Sequence, residues 1–415
     1  MKNKINNGIT WLGEKFEFDS HYFVKNSLWL LMGQVMMSLA ALLATVFLAN
    51  FVSQQNLGDY RMIIAIYVTL TFFALPGVGL ALMRSIANGN DGAMKEAIKI
   101  KTKFSILSIV IGMLLALYFG IYRENIYFGL SILIATLCLP FIENFSLYTS
   151  FLLGKHDFKY SSFNAGLVKL FSAISVIFAS YFYPTVVILV AAFYLSQVIV
   201  TFLQYKILLK KFPIQNNKKD EEMLPYAKHI TYAGIFSMLF GQADKFILYH
   251  FFGPVVLAKF WIASTIPQEI SRVIGTVSKV VFPKFVKMEH NHTTKKILFK
   301  KFWLLTIFLI LLSLMYSLIA YPFFDLFFPQ YIDEVPKSMV LMFAFAVTPS
   351  MLVWHYYTAK NNIKVIYINS MVDPVLQVTL YIILIPFLGV WGLVYGIFIK
   401  TVIMNVLAWH VFSKY

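Results

Sequence analysis

Cysteine and charge are what this chain has least of. A single cysteine, Cys138, excludes an intramolecular disulfide framework. Only 13% of the 415 residues are charged, about half the roughly 25% usual in a soluble globular protein. With 59% apolar residues and a mean hydropathy of +0.73, that shortage excludes a soluble enzyme, and it excludes disorder as well. Acids are the scarcer sign, 19 against 35 Lys and Arg, which leaves a net charge of +16. Contact with a nucleic-acid backbone would need those bases clustered on a wet surface. Here they stand between long uncharged runs, as loops between membrane spans do, so nucleic acid is excluded as a partner.

What is present is a succession of apolar runs. A membrane helix needs about 20 apolar residues. Twelve such windows fall at about 27–52, 62–83, 104–122, 126–152, 162–182, 185–208, 229–252, 255–283, 302–321, 338–358, 363–385 and 389–412. An even number places both termini on one side. With cytoplasmic termini, the inner segments hold 26 basic residues and the outer loops three, Arg61, Arg123 and Lys337. The positive-inside rule therefore sets that orientation. The longest outer loop, 321–337, leaves no room for a catalytic domain. The expected division is a six-helix N-terminal lobe (1–208), a polar, solvated cytoplasmic linker (209–228) and a six-helix C-terminal lobe (229–415). Before the first span, Ile9, Leu12 and Phe16 have the spacing of a short surface helix, and a polar tail is the alternative.

The two lobes also repeat. A shift of 200 residues places Phe51, Leu57, Tyr60 and Arg84 on Phe251, Leu257, Phe260 and Lys284, and a shift of 205 places Lys155 and Lys159 on Lys360 and Lys364. Six helices per unit means that both units point the same way, related by an axis along the membrane normal. The fold class is thus all-α and polytopic, twelve transmembrane helices in two parallel-repeat bundles, and such transporters bind substrate between the halves.

Charges inside the spans are few: Lys169, Lys245, Lys259, Arg272, Lys279 and Lys400, with Glu143, Asp244, Glu269 and Asp373. Each costs about 2.5–3.5 kcal/mol near a helix centre unless it meets a partner or a watery cavity. Thr265, Gln268, Arg272, Gly275 and Lys279 recur at steps of three and four and draw one polar stripe along the eighth helix. An anion crossing the bilayer would need such a stripe, so Arg272, Lys279, Lys245, Gln268 and Lys259 are the candidate substrate-binding residues of a cationic cavity. Lys259 and Lys279 stand near helix ends, where snorkelling explains them equally well. Glu269 lies one turn before Arg272 and can neutralise it in part, while Pro267 is placed to interrupt the helix. Asp244, Glu269, Glu143 and Asp373 are candidates for ion coupling or for structural pairing. The expected pairs are Glu143 with Lys169 and Asp373 with Lys400, while Asp244 and Lys245, about 100° apart on their helix, should find partners on other helices. No nucleophile–base set, ATPase motif or metal-ligand set occurs. The sequence therefore points to no enzyme and no cofactor, and transport would draw on an ion or substrate gradient.

Three segments carry a resemblance: FVSQQNLGDYRMIIA followed by GVGLALMRSIA, then GQADKFILYHFFGPVVLAKFWIASTIP, then IPFLGVWGLVYGIF. With them the chain resembles the polysaccharide flippase family, the Wzx-type O-antigen and capsule repeat-unit translocases of the multidrug/oligosaccharidyl-lipid/polysaccharide exporter (MOP) superfamily. The resemblance implies a MATE-like fold in the bacterial cytoplasmic membrane. It implies translocation of an undecaprenyl-pyrophosphate-linked oligosaccharide by alternating access, for O-antigen, capsular or exopolysaccharide biosynthesis. The implied partners are that polyprenyl-pyrophosphate-linked oligosaccharide, membrane lipid, and polysaccharide polymerase or assembly proteins. Arg272 and Lys279 would offer the pyrophosphate charge-assisted hydrogen bonds, and Trp261 and Phe260 would stack on sugars or simply pack. An ion-coupled drug/cation antiporter of the same superfamily is the alternative and should show an acid-dominated cavity. An integral membrane polysaccharide-assembly enzyme, the alternative from another class, would need a sizeable outer loop.

Overall fold

The computed structural model describes residues 20–287, 292–346, 350–360 and 363–414, so the surface-helix expectation for Ile9, Leu12 and Phe16 lies outside the described residues. All the regular structure described is helical, because chain that crosses hydrocarbon must close its own backbone hydrogen bonds. In order the helices are α1 (Ser20–Phe51), α2 (Gln54–Leu70), α3 (Gly77–Ala87), α4 (Ala93–Leu117), α5 (Ile126–Phe145), α6 (Leu147–Gly154), α7 (Phe158–Phe182) and α8 (Val186–Lys211) in the first half. The second half has α9 (Met223–Ala233), α10 (Ile235–Phe240), α11 (Ala243–Lys287), α12 (His292–Phe327), α13 (Val335–Ala346), α14 (Met351–Ala359), α15 (Ile363–Leu388) and α16 (Val390–Lys414).

Ten stretches among the described residues are long and apolar enough to cross a bilayer. One of them, Ile235–Thr276, has 42 residues and would measure about 63 Å if straight, twice the hydrocarbon thickness. It breaks instead at Gly253, whose φ of 84° and ψ of 174° lie outside any helix. Lys245 and Arg272, on the two arms of α11, then line one cavity, which a straight rod would forbid. With α11 counted as two spans, and α13 and α14 together as one, the twelve expected crossings are present.

Two boundaries shift in a way that matters for the site. The second span starts at Gln54 rather than at 62, capped by Ser53, whose hydroxyl accepts from the Asn56 N–H at 3.3 Å. It ends in a 3₁₀ turn over Thr71–Ala74, and Pro76 separates it from α3. Asp59 and Arg61 had kept this first part out of any apolar window, so Arg61, expected in an outer loop, lies within the span. Pro267 does not interrupt its helix, since Gly253 is where α11 leaves helical geometry; neighbouring helices in a membrane bundle tolerate the lost hydrogen bond.

The linker makes contacts that its composition did not suggest. Asp91, in the turn between α3 and α4, is fully buried, and Lys155 Nζ reaches its two carboxylate oxygens at 2.7 and 2.9 Å. The Gln215 N–H donates to it at 3.2 Å, and its own N–H donates to Asn216 Oδ1 at 3.1 Å. Asn216 Nδ2 donates to the Gly89 carbonyl at 2.9 Å, and the Ser85 hydroxyl donates to Asp220. A buried carboxylate needs donors; Lys155 supplies two contacts and the linker backbone at Gln215 a third. α9 then inserts Met223 and Ala227 among Leu75, Val78, Leu82, Ile86 and Leu152 of the N-terminal half. The linker is largely exposed, as expected, but it is also tied to that half, and the apolar core at this end runs on through α9.

At the opposite end, the turn end, the halves meet directly. A Cβ added to Gly58 would lie 1.9 Å from the Pro254 carbonyl oxygen, and Asn50 Nδ2 donates to the Phe327 carbonyl at 2.9 Å. Between the two ends, α1 and α2 pack against α11.

Asp91→Ala strands Lys155 and frees the linker. The expected loss is about 3–5 kcal/mol for a broken buried pair, read as a lowered Tm in detergent and as faster tryptic cleavage at Lys218 and Lys219.

Candidate functional site

A cavity of about 590 Å³ lies between the halves, walled by α1, α2, α7 and α8 on one side and by both arms of α11 on the other. Four basic side chains line it, Arg61, Lys169, Lys245 and Arg272, against one carboxylate among the described residues, Glu269. Helical spacing selects them. Tyr60, Arg61, Ile64 and Val68 share one face of α2 toward the cavity, while Met62, Ile66 and Leu70 face a separate apolar pocket. On α11, Thr265, Gln268 and Arg272 of the expected stripe are on the lining, with Glu269 beside them, while Gly275 is not.

The four cations are held in two ways. Arg272 is ion-paired with Glu269, as its spacing predicts. Lys245 lies 3.0 Å from Asp244, so these neighbours pair with each other and not with other helices as expected. The four-carbon lysine stem spans the 100° between them. Arg61 and Lys169 have no carboxylate within 4.0 Å among the described residues. Aromatic faces hold these two instead: the Arg61 guanidinium stands 4.1 Å from the Trp261 ring centre, and Lys169 Nζ stands 5.6 Å from that of Phe193. A ring face steadies a cation while leaving its N–H donors free, so the uncompensated charge of the cavity resides on Arg61 and Lys169. Arg61 and Trp261 are 200 residues apart, the same shift that aligns the two sequence repeats, so positions matched by that shift meet across the cavity.

Of the residues singled out in the sequence, Arg272, Lys245, Gln268 and Glu269 are brought together here. Lys259 is half-buried and is not on the lining, because at about 100° per residue it faces well away from Thr265, Gln268 and Arg272 on its helix. The Lys279 side chain lies outside the described residues. Glu143 does not pair with Lys169. Lys101 Nζ meets it at 2.5 Å, since α4 begins at Ala93 and carries Lys101, 5% exposed, into the bundle. Asp373 pairs with Lys400 at 3.1 Å, as expected. Phe260 is core, 2% exposed, whereas Trp261 reaches the lining with Arg61 over its face.

Sequence reasoning missed Arg61 and the cavity position of Lys169. The repeat held a signal for the first, because the shift of 200 sets an arginine opposite a tryptophan inside the eighth apolar window.

The sequence profile of a family described as polysaccharide biosynthesis protein matches residues 23–289, more than half of the chain. No curated protein matches by sequence. Among solved structures, an inward-facing multidrug resistance MATE transporter of the MOP superfamily superposes at a TM-score of 0.67, with 16% identity over 94% of this chain and 97% of that one. A MOP superfamily transporter from Pyrococcus furiosus, described as having a reversed pocket polarity that suggests a different function, superposes at 0.65 with 14% identity over 95% of each chain. A variant of the Vibrio cholerae MATE transporter VcmN gives 0.59, with 14% identity over 95% of this chain and 96% of that one.

A double-mutant cycle of Arg61→Ala and Trp261→Ala, followed by thermal unfolding, is expected to show a coupling of about 0.5–2 kcal/mol. Arg61→Lys should retain only part of it.

Proposed function

The chain belongs to the polysaccharide biosynthesis protein family and has the fold of the MOP-superfamily transporters, and from that premise we propose that it flips a polyprenyl-pyrophosphate-linked oligosaccharide across the bacterial cytoplasmic membrane. The observation that carries this reading is the charge of the cavity. Four cations face one carboxylate, and that carboxylate is already neutralised by Arg272. A pyrophosphate brings two or more negative charges and many acceptor oxygens, and Arg61, Lys169, Lys245 and Arg272 hold N–H donors around one space. Gln34, Thr265 and Gln268 on the same lining are suited to sugar hydroxyls. A drug/cation antiporter needs the opposite balance, an excess of acid facing its cation.

Moving such a head group through hydrocarbon uncompensated is prohibitive. A cavity between two halves that opens to one face at a time removes that cost without ever exposing the charge to lipid. With Arg61 assigned to the bundle, the outer loops keep only Arg123 and Lys337 of the basic residues, which strengthens the orientation with cytoplasmic termini. Charged substrate is then collected on the side where lipid-linked repeat units are assembled, and the polymerase and assembly proteins act on the other.

Complementation of a deletion strain tests the reading. Arg61→Ala, Lys169→Ala and Arg272→Ala each remove a charge-assisted bond of about 1.5–3 kcal/mol. Surface polymer should fall by about tenfold or more, with undiminished protein in the membrane and accumulated lipid-linked repeat units, while Lys169→Arg restores export. Full export by an Arg61→Ala, Lys169→Ala double variant sinks the proposal. Intact polymer with raised drug sensitivity in the deletion strain points to the antiporter.

A further inference from the structure

Four acidic side chains among the described residues are less than a tenth exposed: Asp59, Asp91, Asp244 and Glu334. Three have a base beside them, Lys155 at 2.7 Å, Lys245 at 3.0 Å and Lys337 at 2.8 Å respectively. Asp59, 6% exposed, has none within 4.0 Å. Its hydrogen-bonding neighbours are neutral: the Tyr249 hydroxyl donates to Oδ1 at 2.7 Å, and Gln55 bonds to it one turn back on α2.

The charged groups nearby point elsewhere. Arg61, two residues on, turns to Trp261. On α11, His250 sets its ring against Phe251 at 4.8 Å, and Lys259 is half-buried without reaching the carboxylate. In the turn between α4 and α5, Arg123 borders the apolar pocket behind Tyr249, and Glu124 is exposed. From α5, the uncharged ring of Phe128 covers Tyr249 at 5.7 Å. A carboxylate placed this way has hydrogen bonds but no countercharge, and an anion is poorly held under those conditions. A carboxylic acid fits the same contacts.

The location gives the proton a task. Asp59 belongs to the N-terminal half and Tyr249 to the C-terminal half, and the pair sits beside the Gly58–Pro254 contact that closes the turn end. Parting the halves there takes Tyr249 away and brings water to the carboxyl, which then ionises freely. We propose that Asp59 is a proton-binding site that keeps its proton while the turn end is closed and gives it up when that end opens. The closed state binds the extra proton, so linkage requires acid to favour closure and rising pH to favour opening. The proposal does not depend on which substrate occupies the cavity.

The test uses the full chain in lipid nanodiscs, without substrate, on a Cys138→Ala background. Spin labels at Tyr183→Cys and Leu326→Cys, 61% and 73% exposed at the turn end of the two halves, report the opening as a distance distribution. Between about pH 5 and about pH 8, the ratio of long to short distances should rise by up to about tenfold per pH unit across the transition. Asp59→Asn, which keeps the shape of the closed contact, should hold the short distance throughout. Tyr249→Phe leaves the carboxyl in place and should still respond, with its midpoint at lower pH because closure then makes one hydrogen bond fewer. If Asp59→Asn responds as the parent does, or the parent does not respond, or the Tyr249→Phe midpoint stays put, the proposal is overturned. Failed polymer export alongside an intact, Asp59-dependent response would count against the flippase reading alone.

Discussion

A charge cannot stand alone in hydrocarbon, and most of what is particular to this protein is an answer to that constraint. Apart from Asp59, the buried acids at the two ends of the bundle are tied to lysines: Asp91 to Lys155 and Glu143 to Lys101 at the linker end, and Glu334 to Lys337 at the other. Inside, Asp373 with Lys400 and Asp244 with Lys245 close on themselves. These pairs neutralise one another and leave the remaining charge concentrated in one place, the space between the halves, where Arg61 and Lys169 rest on aromatic rings instead of carboxylates. An ion pair would have consumed their hydrogen-bonding capacity, whereas a ring face leaves it for a ligand.

Repetition positions that cavity. The two halves follow the same plan in the same direction, so α2 and the second arm of α11 are counterparts and approach each other near the axis between them. Gly58 allows the backbones to touch at the turn end. A few residues further into the membrane the helices diverge enough to enclose the lined space, and there the counterpart side chains, Arg61 and Trp261, meet. The Gly253 reversal brings Lys245 from one arm into the company of Arg272 from the other.

Much of this was legible beforehand. The number of crossings, the repeat and the polar stripe of Thr265, Gln268 and Arg272 all follow from periodicity, which the bilayer enforces. The misplaced features share one physical origin. An apolar window stops at the first charge, so the windows began too late at Arg61 and at Lys101, both of which are on helices inside the bundle. The partner of a buried charge is a matter of three-dimensional neighbourhood. Spacing could therefore anticipate Glu269 with Arg272, one turn apart, but not that Glu143 would choose Lys101 and leave Lys169 to the cavity. The linker's polarity does go with exposure, but composition could not show that the Gln215 backbone N–H and the Asn216 side chain also fasten it to Asp91.

That docked segment also bears on how the protein is made. Met223 and Ala227 complete an apolar core whose other buried members, Leu75 to Leu208, all precede them in the chain. During synthesis from the N-terminus, six spans enter the bilayer before the wedge that seals their base at the linker end has been translated. Until α9 emerges, that base exposes greasy surface, and Asp91 has Lys155 but not yet the Gln215 N–H, the kind of intermediate that invites chaperone attention or misassembly. The start of the second half is thus the last building block of the first, and the ribosome must pass it before either half can stand finished.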